Sequence, residues 1–398
     1  MINRPIYIDA LQPFIDTPLV KILAGIRRCG KSTIFEMWRE ELLRRGVNAE
    51  NIICKRYTEM DIPENITARQ MYDELILAMN GKGHCYLLLD EIQEVEGWER
   101  AVNSLLEGAD ADIYVTGSNS KLMSSEISTY LSGRYVSIPV YPLSFREYLD
   151  FKAASTLTRR ELLDEYIRYG GFPITALGKY SAQNVYQIVN GIYYTVVSRD
   201  IVKRHRINRQ DLFDRVVKYV IENLGKTFSA NSISNFLKSE HRKISVESIY
   251  NYLRWLEQAF IIYPCERYDL QGKSILKTQE KYYLADVSLK YALLGYNRKM
   301  LDGVMENIVF LELKRRGYHV YVGKSGTKEI DFVALRQDER IYVQVCVQLP
   351  ENSDREVGNL MEIKDHYPKY VVTLNDMDTG IENGIRIVHL ADFLLEEV

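Results

Sequence analysis

Gly25-Ile26-Arg27-Arg28-Cys29-Gly30-Lys31-Ser32 follows the apolar run Val20-Lys21-Ile22-Leu23-Ala24 and leads into Thr33-Ile34-Phe35-Glu36-Met37-Trp38. The octet fits G-x-x-x-x-G-K-[ST], the P-loop pattern, between an expected strand and an expected helix. Gly25 and Gly30 let the backbone turn without a Cβ clash, so successive N–H groups face inward around anionic oxygens at a helix N-terminus. The pattern assigns Gly25, Arg28, Cys29, Gly30, Lys31, Ser32 and Thr33 to a phosphate cradle. Lys31 is expected against β- and γ-phosphates, and the Ser32 hydroxyl on Mg²⁺.

Length and composition bound what surrounds this stretch. A chain of 398 residues suggests two to four domains, and 46% hydrophobic with 26% charged residues is a globular composition. No apolar run reaches membrane-spanning length, and Met-Ile-Asn-Arg-Pro at the start lacks an apolar signal region, so a cytoplasmic protein without membrane partners is expected. Five widely spaced cysteines without C-x-x-C spacing indicate neither a zinc site nor a disulfide framework. A net charge of −3 gives no global attraction to nucleic acid, so any DNA contact needs a local basic patch.

Residues 1 to about 150 alternate apolar strands with helical patterns, as in an α/β fold on a parallel sheet. Ile52-Ile53-Cys54 reads as a second strand. Tyr86-Leu87-Leu88-Leu89-Asp90-Glu91 reads as a central strand that delivers two carboxylates at its C-terminal end, where such sheets place ligands. Asp90 is expected to share Mg²⁺ with Ser32, and Glu91 to orient or deprotonate an attacking water. Asp112 to Asn119 is a further strand, ending either in a sensor of the γ-phosphate (Asn119 or Ser118) or in a hydrogen-bonded turn. Arg134, before the strand Val136 to Val140, either neutralises phosphoryl charge, in its own or a neighbouring subunit, or is a structural arginine.

Several segments together carry a resemblance: the P-loop octet, Leu89-Asp90-Glu91-Ile92-Gln93 with Gly97-Trp98-Glu99, Thr116-Gly117-Ser118, Leu131-Ser132-Gly133-Arg134, Pro142-Leu143-Ser144-Phe145-Arg146-Glu147, Tyr169-Gly170-Gly171-Phe172-Pro173 and Ser198-Arg199-Asp200-Ile201. They resemble the AAA+-like P-loop ATPases of bacteria and archaea that carry a C-terminal domain of uncertain role. The resemblance implies ATP and Mg²⁺ as cofactors, an ATPase core over 1–155, a helical lid over 156–206, and assembly of identical subunits as an option.

Beyond the lid, Leu212 to Leu224, Ser229 to Lys238 and Ser245 to Phe260 read as three helices, with Ser229 and Ser245 as N-caps. Two strands follow, Ile261 to Tyr268 and Lys281 to Leu284, which makes 207–300 a winged helix-turn-helix. Its third helix exposes Glu247, Ser248, Asn251 and Arg254. Arg242, Lys243, Arg267, Lys273 and Lys277 form a wing-side patch through which duplex DNA or a protein partner is engaged. The run Arg199 to Arg206, with Arg209, either touches phosphate or is a charged helix end facing solvent.

The element order of 301–398 resembles the PD-(D/E)xK nuclease core, a restriction-endonuclease-like α/β domain. Glu306 and Asp331 match its acids, but Gln344-Val345-Cys346 stands where (D/E)-x-K is required, so the resemblance implies a domain without nuclease activity unless Lys314, Lys324 or Lys328 fills the gap. The expected protein is an ATP-hydrolysing switch that presents its C-terminal half to a partner. The rival readings are a DNA-binding regulator with little turnover and an ATP-gated nuclease.

Overall fold

Val20–Ala24 (β1) and Cys85–Asp90 (β3) have no exposed position, which is what a continuous apolar run gives when helices cover both faces of a sheet. With Ile52–Arg56 (β2), Ala111–Gly117 (β4) and Tyr135–Pro139 (β5) they form a five-stranded parallel sheet in the order β2-β3-β4-β1-β5. The computed structural model describes residues 2–396 except 60, 61, 64, 124, 273, 298, 299 and 351–354. Lys273 of the expected wing-side patch lies outside the described residues, as does the side chain of Lys277. Among the described residues, no helix is long and apolar enough to cross a membrane.

The chain divides into two compact units. The first runs to Pro142 and includes Gln258–Phe260; the second holds Leu143–Glu257 and the residues from Ile261 onward. In the first, helices Lys31–Arg44, Ala68–Met79 and Trp98–Gly108 make the crossovers. Helix Ala68–Met79 starts at a capping box in which Thr67 and Gln70 satisfy each other's backbone N–H groups. Lys21 on β1 and Asp112 on β4 form an ion pair at 0% and 1% exposure. Lys21 Nζ also donates to the Thr17 carbonyl at 3.1 Å, and Asp112 Oδ2 accepts from the Tyr114 hydroxyl at 2.7 Å. Burial lowers the Lys21 pKa, and the hydrogen bond and charge of Asp112 oppose that shift.

In the second unit, Leu143-Ser144-Phe145-Arg146-Glu147 is explained by a second capping box, Ser144 with Glu147, which opens helix Phe145–Phe151. Asp286, fully buried, accepts from the Gly171 N–H at 2.6 Å and the Ser288 N–H at 2.9 Å, tying the Gly-Gly-Phe-Pro turn to a segment more than a hundred residues away. Three helices follow, Gln210–Glu222, Ala230–Ser239 and Val246–Gln258, and Ser229 and Ser245 cap the second and third through the N–H groups of Ser232 and Ser248.

The two strands after them, β6 (Ile262–Asp269) and β7 (Ser274–Leu284), do not stand alone as a wing. They continue a sheet with β8 (His319–Ser325), β9 (Lys328–Arg336), β10 (Glu339–Val345), β11 (Lys369–Thr373), β12 (Gly380–Glu382) and β13 (Ile385–His389). The order of the eight strands is β12-β13-β11-β10-β9-β8-β6-β7. β6 pairs with β8 in parallel, through a crossover that contains helix Leu301–Arg315. The sheet therefore runs across residue 300, because the edge of β8 and the buried side chains of Cys265, Tyr283 and Leu284 are satisfied together.

Asp112→Ala is expected to cost the first unit about 3–5 kcal/mol, since it strands the Lys21 ammonium in an apolar sheet. Urea unfolding of the parent and the variant measures this. A loss under about 1 kcal/mol would show that the pair carries no such weight.

Candidate functional site

At the carboxyl ends of β1, β3 and β4 the chain leaves the sheet three times within hydrogen-bond reach. The Gly25 N–H donates to the Gly117 carbonyl at 3.2 Å, and the Val140 N–H to the Ala24 carbonyl at 2.8 Å. A Cβ on Gly25 would lie 1.9 Å from the Val140 carbonyl oxygen, so only glycine fits at the first position of the octet. Gly30 has φ +104°, a left-handed value, and turns the loop into helix Lys31–Arg44. Cys29 is buried beneath the loop, and its carbonyl accepts from the Arg4 guanidinium at 2.7 Å. Burial pushes its thiol pKa up, which keeps it un-ionised.

Lys31, 4% exposed, donates to the carbonyls of Gly25 at 2.9 Å and Ile26 at 3.2 Å, and lies 3.6 Å from Glu91 Oε1. The Ser32 hydroxyl donates to Asp90 Oδ2 at 2.7 Å. Ser32 and Asp90, the two expected Mg²⁺ ligands, are thus adjacent, and the hydroxyl–carboxylate pair fits a hard cation that prefers oxygen. Asp90 Oδ1 accepts from the Thr116 hydroxyl, and Oδ2 also from Arg56 Nε at 3.0 Å.

Glu91 has φ +54°, a left-handed turn immediately after β3, and its N–H donates to Thr116 Oγ1 at 3.0 Å. Its carboxylate accepts from Gln93 Nε2 at 2.5 Å and the Ser118 hydroxyl at 3.2 Å, with Arg27 Nη1 at 3.8 Å. Burial works to raise its pKa. The charges of Lys31 and Arg27 and the hydrogen bonds of Gln93 and Ser118 outweigh that, and the carboxyl titrates below its usual range. Asn119, 4% exposed, follows Ser118 at the end of β4.

Arg28 and Thr33 flank this cluster in sequence, one in the loop with φ +67° and one in the first turn of the helix. Arg134 does not join it. β5 runs parallel to β1, and the Arg134 carbonyl accepts from the Val20 N–H, so Arg134 sits at the amino-terminal edge of the sheet. A five-residue strand, about 17 Å, separates that edge from the P-loop. There its guanidinium bonds Asn103 at 2.9 Å and Glu107 at 2.7 Å.

Arg27, Arg56, Gln93 and Thr116 are partners that sequence reasoning did not single out. Arg56 and Asp90 are register partners on β2 and β3, a relation visible only once strand pairing is known.

A second constellation lies in the second unit. Lys281 on β7, 2% exposed, places Nζ 3.0 Å from Glu306, 3.0 Å from Glu329 and 3.6 Å from Asp331. Lys281 thus brings a cation to Glu306 and Asp331, the two acids the sequence singled out, while Lys328 pairs with Glu362. The Tyr283 hydroxyl donates to the same Glu306 oxygen at 2.9 Å. Asp331 Oδ2 accepts from the Val345 N–H at 2.9 Å, and Gln344 bridges the Asp331 N–H and Glu356. Burial and Asp331 push the Glu306 carboxyl up, while the Lys281 ammonium opposes them. Among the described residues, no group of three or more His, Cys, Asp or Glu is arranged to hold a metal ion. The Lys281 ammonium is held among the carboxylates of Glu306, Glu329 and Asp331.

Residues 17–149 match the family model described as an AAA domain, and residues 160–299 match a domain of unknown function. An uncharacterized protein of Haemophilus influenzae is 38% identical over 400 residues, covering 100% of this chain and 99% of its own length. An uncharacterized protein of Methanocaldococcus jannaschii is 31% identical over 405 residues, covering 94% of this chain and 86% of its own length. A Walker-type ATPase of Pyrococcus abyssi shares the fold, with a TM-score of 0.54 at 15% identity over 74% of this chain and 96% of that one. This chain belongs to the same family as the Haemophilus influenzae protein, a family built on an AAA domain.

Proposed function

We propose that the protein is a Mg²⁺-dependent ATPase whose nucleotide state governs how its C-terminal half engages a partner. The observation that carries this reading is the 2.7 Å contact between Ser32 and Asp90, with Lys31 and Glu91 3.6 Å apart beside it. Ser32 and Asp90 would hold Mg²⁺, which would supply charge neutralisation at the phosphates. The loop N–H groups with Lys31 bind the phosphate oxygens.

Glu91 is the base. Its depressed pKa keeps it ionised at neutral pH, and the same contacts that depress it, Lys31 above all among the cations, also weaken it as a proton acceptor. A triphosphate draws Lys31 onto its own oxygens. Glu91 then shares less of its charge with the ammonium 3.6 Å away and is freer to accept a proton from water. Gln93, Ser118 and Asn119 orient that water. Within one chain Arg134 is structural, tying β5 to helix Trp98–Gly108; any catalytic part for it is in a second copy.

The nuclease-like region does no phosphodiester cleavage on this reading. Gln344 offers a neutral oxygen where an acid is required, and the Lys281 ammonium is neutralised by Glu306, Glu329 and Asp331 rather than facing a scissile phosphate.

Lys31→Ala is expected to weaken Mg·ATP binding at least a hundredfold in calorimetry; binding as tight as the parent's would mean the site is misassigned. Full-length protein with Mn²⁺ or Mg²⁺, ATP and linear, nicked or single-stranded DNA is expected to leave every substrate intact. Cleavage that Asp331→Ala abolishes would overturn the inactive reading of that domain.

A further inference from the structure

The stretch Lys203-Arg204-His205-Arg206-Ile207-Asn208-Arg209 carries four cations and no acid, in a chain whose net charge is −3. All four cations are exposed. The stretch does not lie apart. Arg206, Asn208 and Arg209 line a cleft of about 230 Å³ together with Ser248, Asn251 and Trp255 of helix Val246–Gln258. Ser248, Asn251 and Trp255 are spaced i, i+3 and i+7, so they share one face of that helix. The His205 ring stacks flat on Trp255, with centroids 4.3 Å apart and planes at 10°.

Charge and chemistry in this cleft favour one kind of occupant. Asp211 is shared between Arg209 and Arg242, so one acid offsets two guanidinium groups and the rim stays positive. Asn251 Oδ1 accepts from Arg254 at 2.7 Å, and among the described residues its amide nitrogen donates to nothing, leaving it to meet an acceptor. Cations along a rim, an aromatic pair and an amide donor are what a flexible nucleic-acid strand uses: phosphates on the cations, a base on the rings.

A duplex fits less well. A third helix that reads a major groove needs its outer face open, and here residues 205–209 line the same cleft as the Ser248–Asn251 face. A cleft smaller than the roughly 300–1,000 Å³ of a drug-sized pocket takes one nucleotide unit at a time. We propose that this cleft binds single-stranded nucleic acid. Lys243 and Arg267 of the wing-side patch are not needed for it, and the proposal rests on the reading that the C-terminal half engages a partner.

The test uses the full chain without nucleotide, fluorescent single-stranded 12-mers of DNA and RNA, and a duplex of the same length, followed by anisotropy at stepped KCl. The parent is expected to bind a single strand at least tenfold more tightly than the duplex. Its tryptophan emission should be quenched on binding, because Trp38 and Trp98 are buried and Trp255 lines the cleft. Replacing Arg206 and Arg209 together by Ala should weaken binding at least tenfold and flatten the slope of log affinity against log salt by about 1.4, two contacts' worth on a single strand. Trp255→Phe should keep binding and Trp255→Ala should lose it.

ATP turnover of the double-arginine variant should equal the parent's, which separates failure here from failure of the P-loop reading. Preference for the duplex, binding indifferent to the arginine pair, or no binding at 50 mM KCl would each overturn the proposal.

Discussion

Asp90 and Lys31 are each 4% exposed, and two charged groups so far from water are tolerable only if each is held by opposite charge or by several hydrogen bonds. That requirement organises the first unit. Asp90 takes Ser32, Thr116 and Arg56; Lys31 takes two loop carbonyls and Glu91. The partners come from β2 and β4 and from the segments that follow β1 and β3. Satisfying the charges therefore closes β1, β2, β3 and β4 onto one edge and shapes the P-loop.

The same economy gives the site its direction of change. Glu91 is kept ionised but quieted by Lys31, Arg27, Gln93 and Ser118. Lys31 prefers phosphate oxygens with full charge to carbonyls with partial charge. Ligand entry thus redistributes one cation among carbonyls, a carboxylate and a phosphate chain. Gln93 and Ser118 hold Glu91 through hydrogen bonds alone.

How legible this was in the sequence depended on how local each relation is. The P-loop, the buried β3 and its paired acids were readable because each is a contiguous run with its own physics. The helix starts at Ser229 and Ser245 were readable for the same reason. Arg56 and Thr116 were not, since their role follows from strand register. Strand direction is what places Arg134 at the opposite edge from the P-loop. Lys281 was hidden for a further reason. It lies 25 residues before Glu306 in a strand that reads as half of a separate hairpin, and only the parallel pairing of β6 with β8 brings that hairpin into the sheet. The cleft between residues 205–209 and the third helix was hidden likewise, since each wall alone reads as an ordinary charged surface.

Phosphate release from Mg·ATP by the full chain, measured for the parent and Glu91→Gln beside their nucleotide affinities, tests the central claim most directly. Glu91→Gln keeps the shape of the side chain and the Ser32–Asp90 pair but cannot accept the proton, so affinity should hold and turnover should fall at least a hundredfold. Turnover that persists in Glu91→Gln, or affinity and turnover that vanish together, would contradict the assignment of Glu91 as the base at this site.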